Sequence, residues 1–297
     1  MPESHSTTRV PATQAHAPDN ARPFAPGVAL RDYAVAELDS AIVGLGWRGG
    51  RVHAGVHQAR KALRRVRATL ALGGTALGPG AALLDRELRK ANRGLSALRD
   101  VQALVETLDR LIAAQSQSPS DILQPLRRAR RIAAARRAIQ ARAALAGDPQ
   151  LISRRDLLVA LRGAMLASPW QRVDLLQVQS ALDYGIDRIA RAQARAQGSH
   201  DDEDWHRWRR RERRLSQQRR ALKAGGIAHA VDLPKADKRI ATRLGGAQDL
   251  GLLREHCGRD SPFTKPDRVR LKRYADVELT RQRAAIAALG AGRRESP

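Results

Sequence analysis

The sequence predicts an all-α protein on two observations. From Val28 onward, Ala/Leu/Arg-rich segments of 15 to 25 residues recur, separated by glycine and proline punctuation. No stretch sustains the period-two alternation of β-branched residues that a half-buried strand requires. Breaks fall at Gly49-Gly50, Gly73-Gly74, Gly78-Pro79-Gly80, Ser118-Pro119, Gly147-Asp148-Pro149, Ser168-Pro169, Gly198, Gly225-Gly226, Gly245-Gly246 and Ser261-Pro262. In chain order they leave expected helices at 28–45, 52–72, 79–95, 98–115, 120–146, 153–167, 173–197, 201–223, 234–245, 247–256 and 265–289. Residues 1–27 and 291–297 are expected to be disordered tails around a domain at 28–290. Residues 1–27 lack the apolar run of a signal peptide or anchor, and no segment approaches the roughly 20 apolar residues of a membrane span. The single Cys257 rules out an intramolecular disulfide and fits a reducing compartment, so a cytoplasmic location is expected.

The charge is the second signal. Fifty-four Lys and Arg against 30 Asp and Glu give +24 and a sequence pI near 11.5, a balance that points to a polyanionic partner. Seven of the 54 are Lys and 47 are Arg, whose planar fork binds phosphate oxygens bidentately where Lys offers a point charge. A G+C-rich genome would also favour Arg and Ala, so placement matters more than number.

Placement shows an internal repeat. His57, Arg60, Lys61, Arg64 and Arg65 align with His206, Arg209, Arg210, Arg213 and Arg214 at an offset of 149 residues. The same offset carries Leu98-Arg99-Asp100-Val101 onto Ala247-Gln248-Asp249-Leu250, and Glu106 onto Glu255. Between these motifs it carries Arg86, Arg89 and Lys90 onto Lys235, Lys238 and Arg239. Two motifs agreeing on one ungapped offset indicate a duplicated helical unit, at about 28–170 and 171–290.

At about 100° per residue, His57, Arg60, Lys61 and Arg64 share one helix face, with Ala59, Leu63, Val66 and Leu70 opposite. In the second copy His206, Arg209, Arg210, Arg213 and Arg220 form the face, backed by Trp208, Leu215 and Leu222. Ordinary solvated helices mix signs, because i,i+4 Glu–Lys pairs stabilise by roughly 0.2–0.5 kcal/mol and like pairs cost as much. These faces forgo that stabilisation, which an anion accepting charge-assisted bonds from several guanidinium groups would restore. The competing reading is a merely solvated charge run; two matched copies favour a phosphate-binding surface.

Other residues carry weaker signals. His57 and His206 can each pack, ligate a metal or donate to phosphate. Metal binding finds only His53 as an i,i+4 partner of His57, with no third ligand and no equivalent for His206, so neither metal nor cofactor is expected. Asp100 and Asp249 are read first as acids near helix starts and second as orienters of an Arg or His. Asp201-Asp202-Glu203-Asp204 precedes the His206 helix and suits a helix N-terminus better than a metal site. Trp208 is expected in the core, and Trp205 either packs or stacks.

The His-x-x-Arg-(Lys/Arg)-x-x-Arg-Arg motifs at 57–65 and 206–214, with Leu-Arg-Asp at 98–100 and Gln-Asp at 248–249, resemble the CHAD family, the conserved histidine α-helical domain. The resemblance spans about residues 28–290. It implies two pseudo-twofold-related bundles of about four helices each, long projecting helices, and a basic groove or pore that binds inorganic polyphosphate. Some members associate with polyphosphate granules. Carried over by position, the polyphosphate contacts are His57, Arg60, Lys61, Arg64, Arg65, His206, Arg209, Arg210, Arg213 and Arg214, with support from Arg86, Arg89, Lys90, Lys235, Lys238 and Arg239. The second motif departs from the family in running on into Leu-Ser-Gln-Gln, and the chain has no Glu-x-Glu-x-Lys strand of the triphosphatase fused to some relatives. Non-enzymatic polyphosphate binding is therefore the expectation. Non-specific nucleic-acid binding is the first alternative, although nine aromatic residues offer few stacking platforms. A phosphohydrolase is the second, without a Walker loop or paired acids on one face.

Overall fold

The computed structural model describes residues 25–115, 121–199, 201–234 and 237–291, and the described residues form helices and turns without a strand. Ten α-helices follow in order: α1 (Pro26–Leu45), α2 (Val52–Leu70), α3 (Gly80–Gly94), α4 (Ser96–Gln115), α5 (Leu123–Gly147), α6 (Ile152–Ala167), α7 (Leu175–Gly198), α8 (Asp202–Ala224), α9 (Lys238–His256) and α10 (Lys265–Ala291). Short 3-10 turns at Gly49–Arg51, Gly74–Leu77, Pro149–Leu151 and Trp170–Arg172 fall at the predicted breaks. Most of the two expected tails, residues 1–24 and 292–297, lies outside the described residues. Pro26 and Gly27, expected in the first tail, instead open α1, with proline at a position where its missing N–H costs nothing.

One predicted break is absent. The helices expected at 234–245 and 247–256 are one continuous α9, because Gly245-Gly246 does not break it. Glycine costs a helix only about 1 kcal/mol relative to Ala. That is offset by burial of Leu244, Ala247 and Leu250 along the same face and by the Asp237 cap, whose carboxylate accepts from the N–H groups of Arg239 and Ile240.

Two glycine contacts set how α1 sits. A Cβ on Gly55 would lie 2.0 Å from the carbonyl oxygen of Gly44, so α1 and α2 cross where neither chain carries a side chain. A Cβ on Gly27 would lie 1.8 Å from the carbonyl oxygen of Trp170, so the start of α1 docks on the turn before α7. Trp170 itself is fully buried and donates its indole N–H to the carbonyl of Met165 at 2.9 Å.

Buried side chains form two clusters, and each draws on both halves of the repeat. The larger joins α1, α2, α3 and α6 to α7 and α8, with Leu38, Leu63, Leu88, Trp170 and Trp208 inside. The smaller joins α4 and α5 to α9 and α10 through Leu104, Leu108, Leu126, Leu253, Phe263 and Leu271. Each fully buried leucine contributes about 1.5–3 kcal/mol relative to exposure. In both halves the His-motif helix pairs with the helix before it, α2 with α1 and α8 with α7. The Asp-motif helix pairs with the helix after it, α4 with α5 and α9 with α10. At the centre α2 packs directly on α8, which brings the two basic motifs together.

Candidate anion-binding site

The apolar stripes expected on the two motif helices are buried. Ala59, Leu63 and Val66 on α2 and Trp208 and Leu222 on α8 have no exposure above 0%. Sinking these stripes into the larger core leaves the His/Arg faces at the junction of α2 and α8, beside α4 and α9.

Arg64 stands at the middle of that junction. Burial acts first on its guanidinium, and then Arg213, Arg60, Arg99 and Arg209, all cations, push its pKa down to about 9. Arg213 is pushed down to about 10 by burial, then by Arg209, Arg60 and Arg210. An arginine does not give up its proton in a protein, so the depression expresses the cost of desolvation first and of repulsion second, both held in the fold. Arg60 is fixed by two 2.7 Å hydrogen bonds from Nη1, to the Asn92 carbonyl and to Ser96 Oγ where α3 meets α4. The Nε groups of Arg60 and Arg64 and Nη1 of Arg99 are buried donors with no acceptor among the described residues.

Carboxylates stand behind this cluster in matched positions. Burial lowers the pKa of Arg60, with Asp100 opposing, and burial lowers that of Arg209, with Asp249 opposing. Asp249 accepts from Arg110 Nε at 2.9 Å and from Thr107 Oγ1 at 3.3 Å, linking α9 to α4. The expectation that Asp249 serves a helix start is thus corrected: it lies inside α9 and is committed to side chains. Asp100 follows the first turn of α4, where burial raises its carboxyl against the pull of Arg60 and Arg99.

The histidines flank the cluster in two cavities. One, of about 800 Å³, is lined by His53, His57, Lys61, Gln102, Glu106 and Arg137. Burial and then Arg99 lower the pKa of His57, and Glu106 works the other way. Burial would raise the Glu106 carboxyl, but the 3.0 Å bond from Gln102 and the 2.8 Å bond from Arg99 hold it below the usual range. The second cavity, of about 540 Å³, includes His206, Arg209, Asp202, Arg254, Lys272 and Arg283. Burial and then Arg210 lower the pKa of His206, opposed by Glu203. Both imidazoles are therefore held towards the neutral form at pH 7.

The remaining predicted residues lie apart from the junction. Arg65 donates to both carboxylate oxygens of Glu37 at 2.9 and 3.0 Å, tying α2 to α1. Arg214 reaches the Arg67 carbonyl at 3.4 Å and lines a separate cavity with Gly74 and Thr75. Arg220 acts on Tyr33 of α1. Arg86, Arg89 and Lys90 are exposed on α3, where Glu87 pairs with Arg86 at 3.5 Å and Lys90 at 2.9 Å. Lys238 and Arg239 are exposed at the start of α9, and Lys235 lies outside the described residues. The acidic run opens α8 as expected: Asp201 caps it, accepting from the Glu203 N–H at 3.0 Å, and Asp202 pairs with Arg254 and Arg283. Trp205 packs, its ring 5.8 Å from that of Trp208 and under the Arg283 guanidinium. Among the described residues no three His, Cys, Asp or Glu side chains are grouped to hold a metal. No helix of the described residues is long and apolar enough to cross a membrane.

Arg99 is the junction residue that sequence reasoning missed. It acts on both Arg64 and His57, and its signal was available: it is the basic member of the Leu-Arg-Asp motif, seven residues before Glu106.

The described residues thus form an all-α fold with a buried cationic junction between two copies of one motif. The CHAD domain family model matches residues 36–258, well over half of the sequence, and the chain belongs to that family. The crystal structure of the CHAD domain from the plant Ricinus communis has the same fold, with a TM-score of 0.62 at 19% identity over 95% of this chain and 98% of that one. No curated protein matches the chain.

Proposed function

We propose that the chain binds inorganic polyphosphate without turning it over, threading the polymer across the α2–α8 junction between the two histidine-lined cavities. The observation that carries this reading is the gathering of cations at one buried junction, where Arg213, Arg60 and Arg209 add to the burial that depresses Arg64 and the Nε groups of Arg60 and Arg64 are buried donors with no acceptor among the described residues. A phosphate chain supplies acceptors at short, regular spacing and carries no base or sugar, so a thin polymer enters a partly buried junction where a duplex does not. Each guanidinium can take a phosphate bidentately, and the affinity arises from many such contacts along one chain. A cytoplasmic site of action, with recruitment to polyphosphate granules, follows from such binding.

Non-specific binding of single-stranded nucleic acid uses the same charge and is the second reading, favoured by the net +24. Competition at fixed, near-physiological salt between long-chain polyphosphate, single-stranded RNA and duplex DNA, matched in phosphate, separates the two. Polyphosphate is expected to displace both nucleic acids; equal affinity for all three would defeat the selectivity. Metal-dependent release of phosphate with steady turnover would replace binding by catalysis.

A further inference from the structure

A second basic stripe runs along α8, and one of its members, Arg214, also reaches the Arg67 carbonyl near the end of α2. Arg207, Arg211, Arg214 and Gln218 recur at the i, i+4, i+7, i+11 spacing of one helix face. On the neighbouring α7, Tyr184, Arg188, Arg191 and Arg195 follow the same spacing. The two stripes border one groove with unlike ends. Arg191, Arg195 and Arg207 crowd one end. The other opens into a cavity of about 310 Å³ walled by Ala181, Gly185, Ile189 and Leu215, with Tyr184 at its edge. Arg188, Arg211 and Tyr184 border both ends.

Three features separate this groove from a merely solvated charge run. Its polar lining includes Gln218, only 4% exposed, whose amide is of the kind that pairs with the edge of a purine base. Tyr184 is 61% exposed, and the Arg188 guanidinium lies 5.3 Å from its ring centroid, so an aromatic surface stands beside a phosphate-binding group. Finally, Arg214 apart, the stripe is not a product of the duplication. The positions 149 residues earlier are Gln58, Ala62, Arg65 and Thr69 on α2, and Val35, Asp39, Ile42 and Gly46 for α7. The second half alone carries it, and burial with repulsion from Arg188, Arg207 and Arg214 lowers the pKa of Arg211.

We propose that the α7–α8 groove is a site for a single purine nucleoside di- or triphosphate, with the base in the Gly185–Leu215 cavity against Gln218 and Tyr184 and the phosphates on Arg188, Arg211 and Arg207. An apolar cavity with one buried amide suits a base, and a basic trough continuous with it suits a short phosphate chain. From Tyr184 to Arg195 the groove runs roughly 16 Å at 1.5 Å per helical residue, a span suited to one nucleotide rather than a polymer. The proposed contacts share no residue with those of the α2–α8 junction.

The test is titration of the full chain with a ribose-labelled fluorescent ADP at near-physiological salt, with inorganic triphosphate as competitor. Gly185→Leu fills the cavity; a Cβ there meets only Gln218 Oε1, at 3.9 Å. It is expected to weaken ADP by about tenfold or more while leaving triphosphate unchanged. Should Gly185→Leu fail to fold, Tyr184→Ala at an exposed position carries the same arm. Arg188→Ala with Arg211→Ala is expected to weaken both ligands, and Arg64→Gln with Arg213→Gln to leave ADP binding intact. The proposal is overturned if ADP does not bind at millimolar concentration, if triphosphate competes as well as unlabelled ADP, or if the junction variant alone abolishes ADP binding. Preference for single-stranded RNA over ADP, per nucleotide, would overturn it in favour of a polymer surface.

Discussion

Arg213 on α8, 149 positions after Arg64 on α2, is the first of four cations whose repulsion adds to burial in depressing the Arg64 guanidinium at the helix junction. A fold that holds like charges together at its centre sacrifices stability there, and an anion would recover it.

The first prediction follows from that repulsion. Arg64→Met or Arg213→Met should stabilise the unliganded protein by about 1 kcal/mol, raising Tm by roughly 2–4 °C for a chain of this size. The two gains should be less than additive, because either substitution already relieves the shared repulsion. Thermal melts by circular dichroism check this; a fall in Tm for both variants would mean the guanidinium groups are held by attractions.

The adjacent residue should behave in the opposite way. Arg65 and Glu37 form a pair with side-chain exposures of 14% and 10%, so removing one partner strands a buried charge. Arg65→Ala or Glu37→Ala should cost about 3–5 kcal/mol in denaturant unfolding. Glu37→Ala in a variant that remains folded should bind polyphosphate with unchanged affinity.

A third prediction concerns the crossing of α1 and α2. Gly55→Ala places a methyl group against the Gly44 carbonyl and should destabilise by about 1–3 kcal/mol, although Ala is the better helix former. By contrast, Gly245→Ala on α9, where a Cβ meets nothing within 4 Å, should stabilise. Equal effects from the two substitutions would contradict the packing described.

The histidines give a pH dependence with a definite sign. Burial and neighbouring arginines hold His57 and His206 below the ordinary imidazole pKa, so at mildly acidic pH the unfolded chain binds more protons than the folded one. Stability should therefore be fully present above about pH 6.5 and fall as pH drops below it. Polyphosphate bound beside the two rings would raise their pKa, so binding would take up protons and affinity should increase from pH 8 to pH 6. His57→Gln with His206→Gln should flatten that profile; an unchanged slope would assign it to other groups.

Much of the fold was legible because helix signals are local. The faces of α2 and α8, the Asp201 cap and, within the described residues, all the expected breaks but one were set by period and by glycine and proline, while the Ser118-Pro119 break lies outside the described residues. The exception, Gly245-Gly246, shows burial on either side of a breaker overriding propensity. The site was legible as two stripes, but their meeting depended on helices distant in sequence, so the approach of Arg99 to Arg64 and of Arg110 to Asp249 could not be read from spacing. Arg65 and Arg214 illustrate the limit of a short motif. Eight residues after the histidine, each is turned by about 80° from it on the helix, enough to send Arg65 to Glu37 and Arg214 towards the α7 groove.

The most direct measurement is titration with long-chain polyphosphate at fixed, near-physiological salt. Wild type would be compared with a variant carrying Arg60→Gln, Arg64→Gln, Arg209→Gln and Arg213→Gln, its fold checked by circular dichroism. The junction account predicts a loss of affinity of about 100-fold or more, with a shallower dependence of log Kd on log salt. Unchanged affinity and salt slope in the folded variant would contradict it.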